Sequence, residues 1–233
     1  MSIQGGQGNQ LFVGHYGVSF ACKAAEPRLP LWLLFLAVQF VDILWSILIL
    51  LGIEKVRIVP GITATNPFDL YYMPYTHSLA AAVVWSALVF LGYRLSISQP
   101  SASRNRPALF LALAVFSHWI LDLPVHRPDL PLYDNTHKVG LGLWNYPMPT
   151  FALEGAILFG GMWIYMRSTK TGSLFGKYGM PIFGAVLLVM HWTFFFGAPP
   201  GSTSAAAVLL PVLYLGFAAA AAWLERKRQV LAT

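Results

Sequence analysis

The chain has 233 residues, of which 57% are hydrophobic and 10% charged, where an ordinary soluble domain carries about 25% charged residues. A mean hydropathy of +0.60, with 8 Trp, 10 Tyr and 16 Phe, excludes disorder and a soluble monomer and points to a bilayer. The net charge of +6 is spread singly or in small groups between apolar runs, which suits anionic lipid headgroups rather than nucleic acid.

In chain order, residues 11–25 form an apolar stretch too short to span a membrane, carrying His15 and Lys23, and read as an interfacial or re-entrant helix. Six longer apolar runs follow at residues 31–52, 75–95, 107–125, 150–166, 180–196 and 205–224, each near the roughly 20 residues a helix needs to cross about 30 Å of hydrocarbon. Pro107 and Pro181 fall near first helical turns, where a missing N–H costs nothing, and Pro74 precedes the second run. The N-terminal segment lacks a charged signal-peptide start, and the first long run holds Asp42 with no cleavage site behind it, so residues 31–52 read as a retained helix. The expected architecture is a single domain over residues 1–233, an all-α polytopic membrane bundle of about six transmembrane helices plus the N-terminal short one.

Counting basic residues by side tests that arrangement. Lys23, Arg28, Arg94, Arg104, Arg106, Arg167, Lys170, Lys177, Arg226, Lys227 and Arg228 fall on one side, and only Lys55, Arg57, Arg127 and Lys138 on the other. The asymmetry places both termini in the cytoplasm and the first, third and fifth connections outside.

Ionisable residues inside a membrane are costly, so their positions are informative. Asp42 falls in the middle of the first run, His77 opens the second, and His118 and Asp122 lie in the outward half of the third, with His126 just beyond. On the expected topology these groups all lie between mid-bilayer and the outer surface. His118 and Asp122, four apart, share one helix face about 6 Å apart along the axis, which is metal-ligand spacing. The plainer alternative is a neutral core histidine bonded to Asp122, with His77 at a headgroup interface. His191 reads as a structural histidine, Glu154 as either a site group or a carboxylate at its helix start, and Arg127 and Asp129 as a mutual or loop pair. A single cysteine, Cys22, excludes an intramolecular disulfide and a Cys-based zinc site. The outward connections at residues 53–74 and 126–149 are long, Pro-rich and aromatic, and suit a lid.

Gly14-His15-Tyr16-Gly17, then Asp42, then Thr76-His77-Ser78, then Ser117-His118 with Asp122 occur in an order that resembles the membrane-bound, metal-dependent hydrolase-like proteins of bacterial inner membranes. That family is similar in ligand order to zinc-dependent phospholipase C and the S1/P1 nucleases. The resemblance covers about half of the chain and implies His15, Asp42, His77, His118 and Asp122 as ligands of a divalent metal, zinc foremost. The chain departs from the phospholipase pattern in having no N-terminal Trp and no later His-x3-Glu pair, and carries Val41-Asp42-Ile43 and Met73-Pro74-Tyr75 where the membrane family has a second carboxylate and an Arg-Gly.

The expected function is metal-assisted hydrolysis of a phosphoester or related bond in a lipid or lipid-linked substrate of the bacterial inner membrane. Asp42 and Asp122 are the candidate catalytic carboxylates, bridging metals or acting as base, and His126 and Arg127 the candidate contacts to substrate phosphate. Ser78 either orients a ligand or bonds the preceding turn. The alternative is a non-catalytic membrane protein: an ion or proton transporter, or a complex subunit, including one holding haem through His118 and His191. Leftover apolar helix faces leave room for a membrane-protein partner or a second copy.

Overall fold

The computed structural model describes residues 13–96 and 101–231; residues 11 and 12 of the short N-terminal stretch lie outside them. Among the described residues there are eight α-helices: α1 His15–Ala25, α2 Leu31–Val38, α3 Phe40–Leu50, α4 Leu79–Ser96, α5 Ser101–Val125, α6 Pro147–Arg167, α7 Leu174–Phe196 and α8 Thr203–Glu225. Two small antiparallel ribbons join them, β1 Lys55–Ile58 with β2 Phe68–Tyr72, and β3 Thr169–Lys170 with β4 Gln229–Val230.

Local chemistry sets the helix starts. Ser173 and Ser202 cap α7 and α8 by accepting from the Gly176 and Ala205 amides at 3.0 and 3.1 Å, and Pro147 occupies the first turn of α6, where it forfeits no bond. Ser78 does the same for α4: it accepts from Ala81 N–H at 3.0 Å and donates to the Pro74 carbonyl at 2.7 Å. The second apolar run therefore becomes helical at Leu79 rather than residue 75, leaving His77 in the turn ahead of the helix.

Four helices are long and apolar enough to cross a membrane: α4, the Asn105–Val125 part of α5, α7 and α8. The first run is broken at Gln39 into α2 and α3, bent by 52°, and counts as a fifth span if the pair is taken together. The expected sixth, α6, has 21 residues but is not among them, since Pro147, Pro149, Thr150, Glu154 and three glycines dilute its apolar content. Instead α6 lies against α1, so the polar residues find protein rather than lipid.

The bundle has two distinct ends. At the basal end, the Leu31 amide donates to Glu225 at 2.8 Å, Lys23 pairs with Glu225 at 2.5 Å, and Arg106 reaches the Ala25 carbonyl at 2.7 Å. The β3–β4 ribbon ties the end of α6 to the tail after α8 there. At the opposite, loop end, Leu79 and Ala80 amides donate to the Pro131 and Leu132 carbonyls, and Thr65 to the Trp144 carbonyl.

The 11-residue α1 runs from within the bundle to the basal end, with His15, Tyr16, Gly17, Ser19 and Phe20 all buried. Its crossing with α6 is backbone to backbone. A Cβ on Gly161 would stand 1.9 Å from the Gly17 carbonyl oxygen, and one on Gly17 would stand 2.1 Å from that of Ile157. Only glycine permits such an approach. By contrast α4 buries only Ala82 and Ser86 and packs chiefly on α5.

Candidate metal centre

The five expected ligands arrive from four places in the chain. His15 opens α1, Asp42 lies in the first turn of α3 just after the Gln39 break, His77 sits in the turn before α4, and His118 and Asp122 lie one turn apart on α5. The side chains of all five are buried. The structure brings them together as two triads sharing one imidazole: His15 with His118 and Asp122, and Asp42 with His77 and His118.

The facing atoms are all possible ligand atoms. Asp42 Oδ1 lies 3.3 Å from His77 Nε2 and 3.4 Å from His118 Nε2. Asp122 Oδ2 lies 3.3 Å from His118 Nε2, 3.7 Å from His126 Nε2 and 4.0 Å from His77 Nε2, while its Oδ1 lies 3.4 Å from His15 Nε2. Among the described residues, His118 Nε2 and both oxygens of Asp122 are buried and make no hydrogen bond, a costly state for polar atoms in an apolar bundle.

The histidines are held from behind. His118 Nδ1 lies 2.7 Å from the Val38 carbonyl, which can only accept, so Nδ1 carries a proton and Nε2 is presented to the carboxylates. His77 Nδ1 lies 2.8 Å from the Thr76 hydroxyl, whose proton goes to Glu54 at 2.6 Å. That hydroxyl is left to accept from Nδ1–H, and Nε2 of His77 again faces inward. Such outer partners orient and sharpen metal-binding imidazoles.

The separations fit a shared cation better than they fit hydrogen bonds. Four ligands around an ion at about 2.0–2.1 Å, as for zinc with nitrogen and oxygen donors, stand about 3.3–3.4 Å apart along the edges of the tetrahedron. The close His–Asp contacts have that length, and the donors are imidazole and carboxylate, a set suited to zinc, manganese or iron.

Several groups have roles not foreseen in the primary structure. The Tyr214 hydroxyl, from α8, donates to Asp42 Oδ2 at 3.0 Å. Glu54 accepts from Thr76 and from the Tyr75 and Thr76 amides; burial pushes its carboxyl above the ordinary value against those bonds. Thr76 thus performs the orienting function that the neighbouring hydroxyl of Ser78, spent on the turn, does not. Glu154, in the second turn of α6, accepts from the Gly14 amide at 2.6 Å, so it holds the start of α1 rather than of its own helix.

Among the remaining candidates, His126 Nδ1 lies 2.9 Å from Asp129 and its ring 4.1 Å from that of Trp144. Burial lowers the His126 imidazole, but the Asp129 hydrogen bond and charge carry it above its ordinary value. Arg127 pairs with Asp129 at 2.9 Å and with Asp69, and Asp69 also holds Arg57 at 2.6 Å. Its guanidinium is therefore already engaged by two carboxylates. His191 stacks on Phe151, centroids 5.4 Å apart at 9°, and belongs to neither triad.

A cavity of about 30 Å³ adjoins the cluster, room for about one or two waters. Asp42, His77 and His126 line one side, and Trp45, Phe68, Leu70 and Leu210 supply an apolar wall. No family model, curated protein or solved structure matches the chain.

Proposed function

We propose that this membrane protein is a metal-dependent hydrolase acting on a phosphoester or related bond of a lipid or lipid-linked substrate at the bacterial inner membrane. The observation that carries the reading is the set of inward-facing Nε2 atoms of His77 and His118, each fixed through Nδ1, against the oxygens of Asp42 and Asp122. His15, Asp42, His77, His118 and Asp122 would hold one or two divalent ions, zinc being the first candidate. An ion held there would lower the pKa of a water to about 7 and act as a Lewis acid toward a phosphoryl group.

The chain's own residues do the positioning. Tyr214 holds one oxygen of Asp42, leaving the other for the centre. His126, beside the cavity, donates its Nδ1–H to Asp129, and in the protonated ring Nε2–H is the donor available to a phosphate oxygen, whereas Arg127 serves by fixing Asp129 and Asp69. Trp45, Phe68, Leu70 and Leu210 wall the cavity on its apolar side, Phe68 and Leu70 coming from β2 itself. The distribution of basic residues supports multi-pass insertion with both termini cytoplasmic.

The test is release of phosphate or a phosphorylated headgroup from defined phospholipids by purified protein loaded with zinc, manganese or iron. Asp42→Asn and Asp122→Asn serve as controls. Activity in the wild type that both variants lose supports the hydrolase, and no turnover of any phosphoester by metal-loaded protein contradicts it. A second reading, a proton path, is favoured by the continuous series Glu54, Thr76, His77, Asp42, His118, Asp122. Proton flux in vesicles from metal-free protein would support it instead.

A further inference from the structure

The basal end carries a second recess, remote in the fold from the His and Asp cluster. Lys170, Thr171 and Gly172 of the α6–α7 turn face Arg226, Lys227 and Gln229 of the tail across a pocket of about 320 Å³. Lys170, Arg226 and Lys227 are exposed, and none forms an ion pair among the described residues. Three cations thus share a concave surface whose described lining holds no counter-charge, which makes it attractive to an anion.

The pocket is built rather than a chance meeting of surface lysines. Arg228 locks the tail by donating to Thr169 Oγ1 at 2.8 Å, the Gly176 carbonyl at 2.6 Å, and the Met166 and Thr169 carbonyls at 3.2 and 3.1 Å. The β3–β4 pairing adds backbone bonds, and Gly176 lies so close to the tail that a Cβ there would stand 2.6 Å from the Lys227 carbonyl oxygen. The backbone bearing Arg226 and Lys227 is therefore held in place before any ligand arrives.

An apolar cleft of about 440 Å³ opens beside it between α7 and α8. The two linings follow the same segments: Gly172 and Arg226 belong to the polar pocket, and Leu174 and Leu224, two residues away, to the apolar cleft. Gly179 and Ala220 supply the cleft's small residues, and Phe175 and Trp223 meet edge to face at 4.8 Å along it. Tyr178 and Trp223 are half exposed, as aromatics at a membrane interface are. Both helices belong to the four apolar enough to span a membrane, so the cleft opens toward acyl chains and the pocket toward headgroups.

We infer that this recess binds an anionic phospholipid, its phosphate-bearing headgroup held by Lys170, Arg226 and Lys227 and an acyl chain lying in the α7–α8 cleft. Charge complementarity selects the headgroup, and the adjoining apolar cleft selects a lipid over a free anion. The inference stands on basal-end geometry and does not depend on the metal reading.

The test is native mass spectrometry of the full chain from nanodiscs containing equal phosphatidylglycerol and phosphatidylcholine. The result expected is selective retention of phosphatidylglycerol. Each neutralisation in Lys170→Gln, Arg226→Gln and Lys227→Gln lowers that selectivity about fivefold, as expected for a basic residue near a lipid surface. Ala220→Trp, which fills the cleft and leaves the charges, abolishes retention, while Lys55→Gln at the other end changes nothing. Equal retention of both lipids by the wild type, or undiminished selectivity in the triple variant, overturns the inference. So does competition by inorganic phosphate combined with full retention in Ala220→Trp, which would mark a free-anion site.

Discussion

Buried charge is handled in opposite ways at the two ends of the bundle. At the basal end Lys23 is enclosed by Glu225 at 2.5 Å and by the Pro27 and Leu29 carbonyls at 2.8 Å each, while Arg228 reaches three carbonyls and a hydroxyl. Each of these contacts joins a donor to an acceptor at hydrogen-bond length. In the cluster, His118 Nε2 and both Asp122 oxygens lie among one another at 3.3 Å and beyond without a hydrogen bond among the described residues, although the outer nitrogens of His77 and His118 are well bonded. The first arrangement is complete as it stands and staples helices; the second has the donors and the spacing to hold a cation between its members.

That contrast can be broken first at the basal end. Lys23→Met leaves Glu225 without its cation and is expected to cost about 3 kcal/mol or more of stability, read as a lowered thermal midpoint, with bound metal unchanged. Asp122→Asn, studied in chelator-treated protein, is expected to leave the midpoint level or raised, because it relieves facing acceptors. A comparable loss of stability in both variants would erase the distinction between the two regions.

The next effect concerns the support behind the ligands. Thr76→Val strands the Nδ1 proton of His77 and is expected to weaken metal affinity about 10–100-fold, the usual cost of losing an outer partner of a metal-binding histidine, measured by competition with a chelator. Gly161→Ala drives a methyl into the Gly17 carbonyl, at an expected cost of about 1–3 kcal/mol, and shifts His15 with α1. If metal affinity is untouched while stability falls, His15 is a packing residue. The smallest effect is expected for Tyr214→Phe, which removes one bond to Asp42 and about 1 kcal/mol with it, read as a loss of about fivefold in affinity.

The primary structure exposed the parts that membranes make expensive. Asp42, His77, His118 and Asp122 stood out because apolar runs surround them, and their burial together follows from helices that must hide polar groups from lipid. His15 rested on resemblance alone and conflicted with a cytoplasmic start. The geometry removes part of that conflict, since α1 begins at the cluster and ends at the basal Lys23–Glu225 pair. Glu54, Thr76 and Tyr214 were not legible, because each acts through a tertiary hydrogen bond that leaves no local periodicity. The α6 segment differs from an ordinary span for a related reason: its glycines and Glu154 serve a neighbouring helix, α1, which spacing within α6 does not disclose.

The most direct test of the central claim is elemental mass spectrometry on untagged protein purified without chelator, comparing wild type with His118→Ala, Asp122→Ala and Lys23→Met. The account predicts a stoichiometric divalent ion in the wild type and in Lys23→Met, and none in His118→Ala or Asp122→Ala. Folded wild-type protein that takes up no divalent ion after reloading, or an ion retained in both cluster variants, would contradict it.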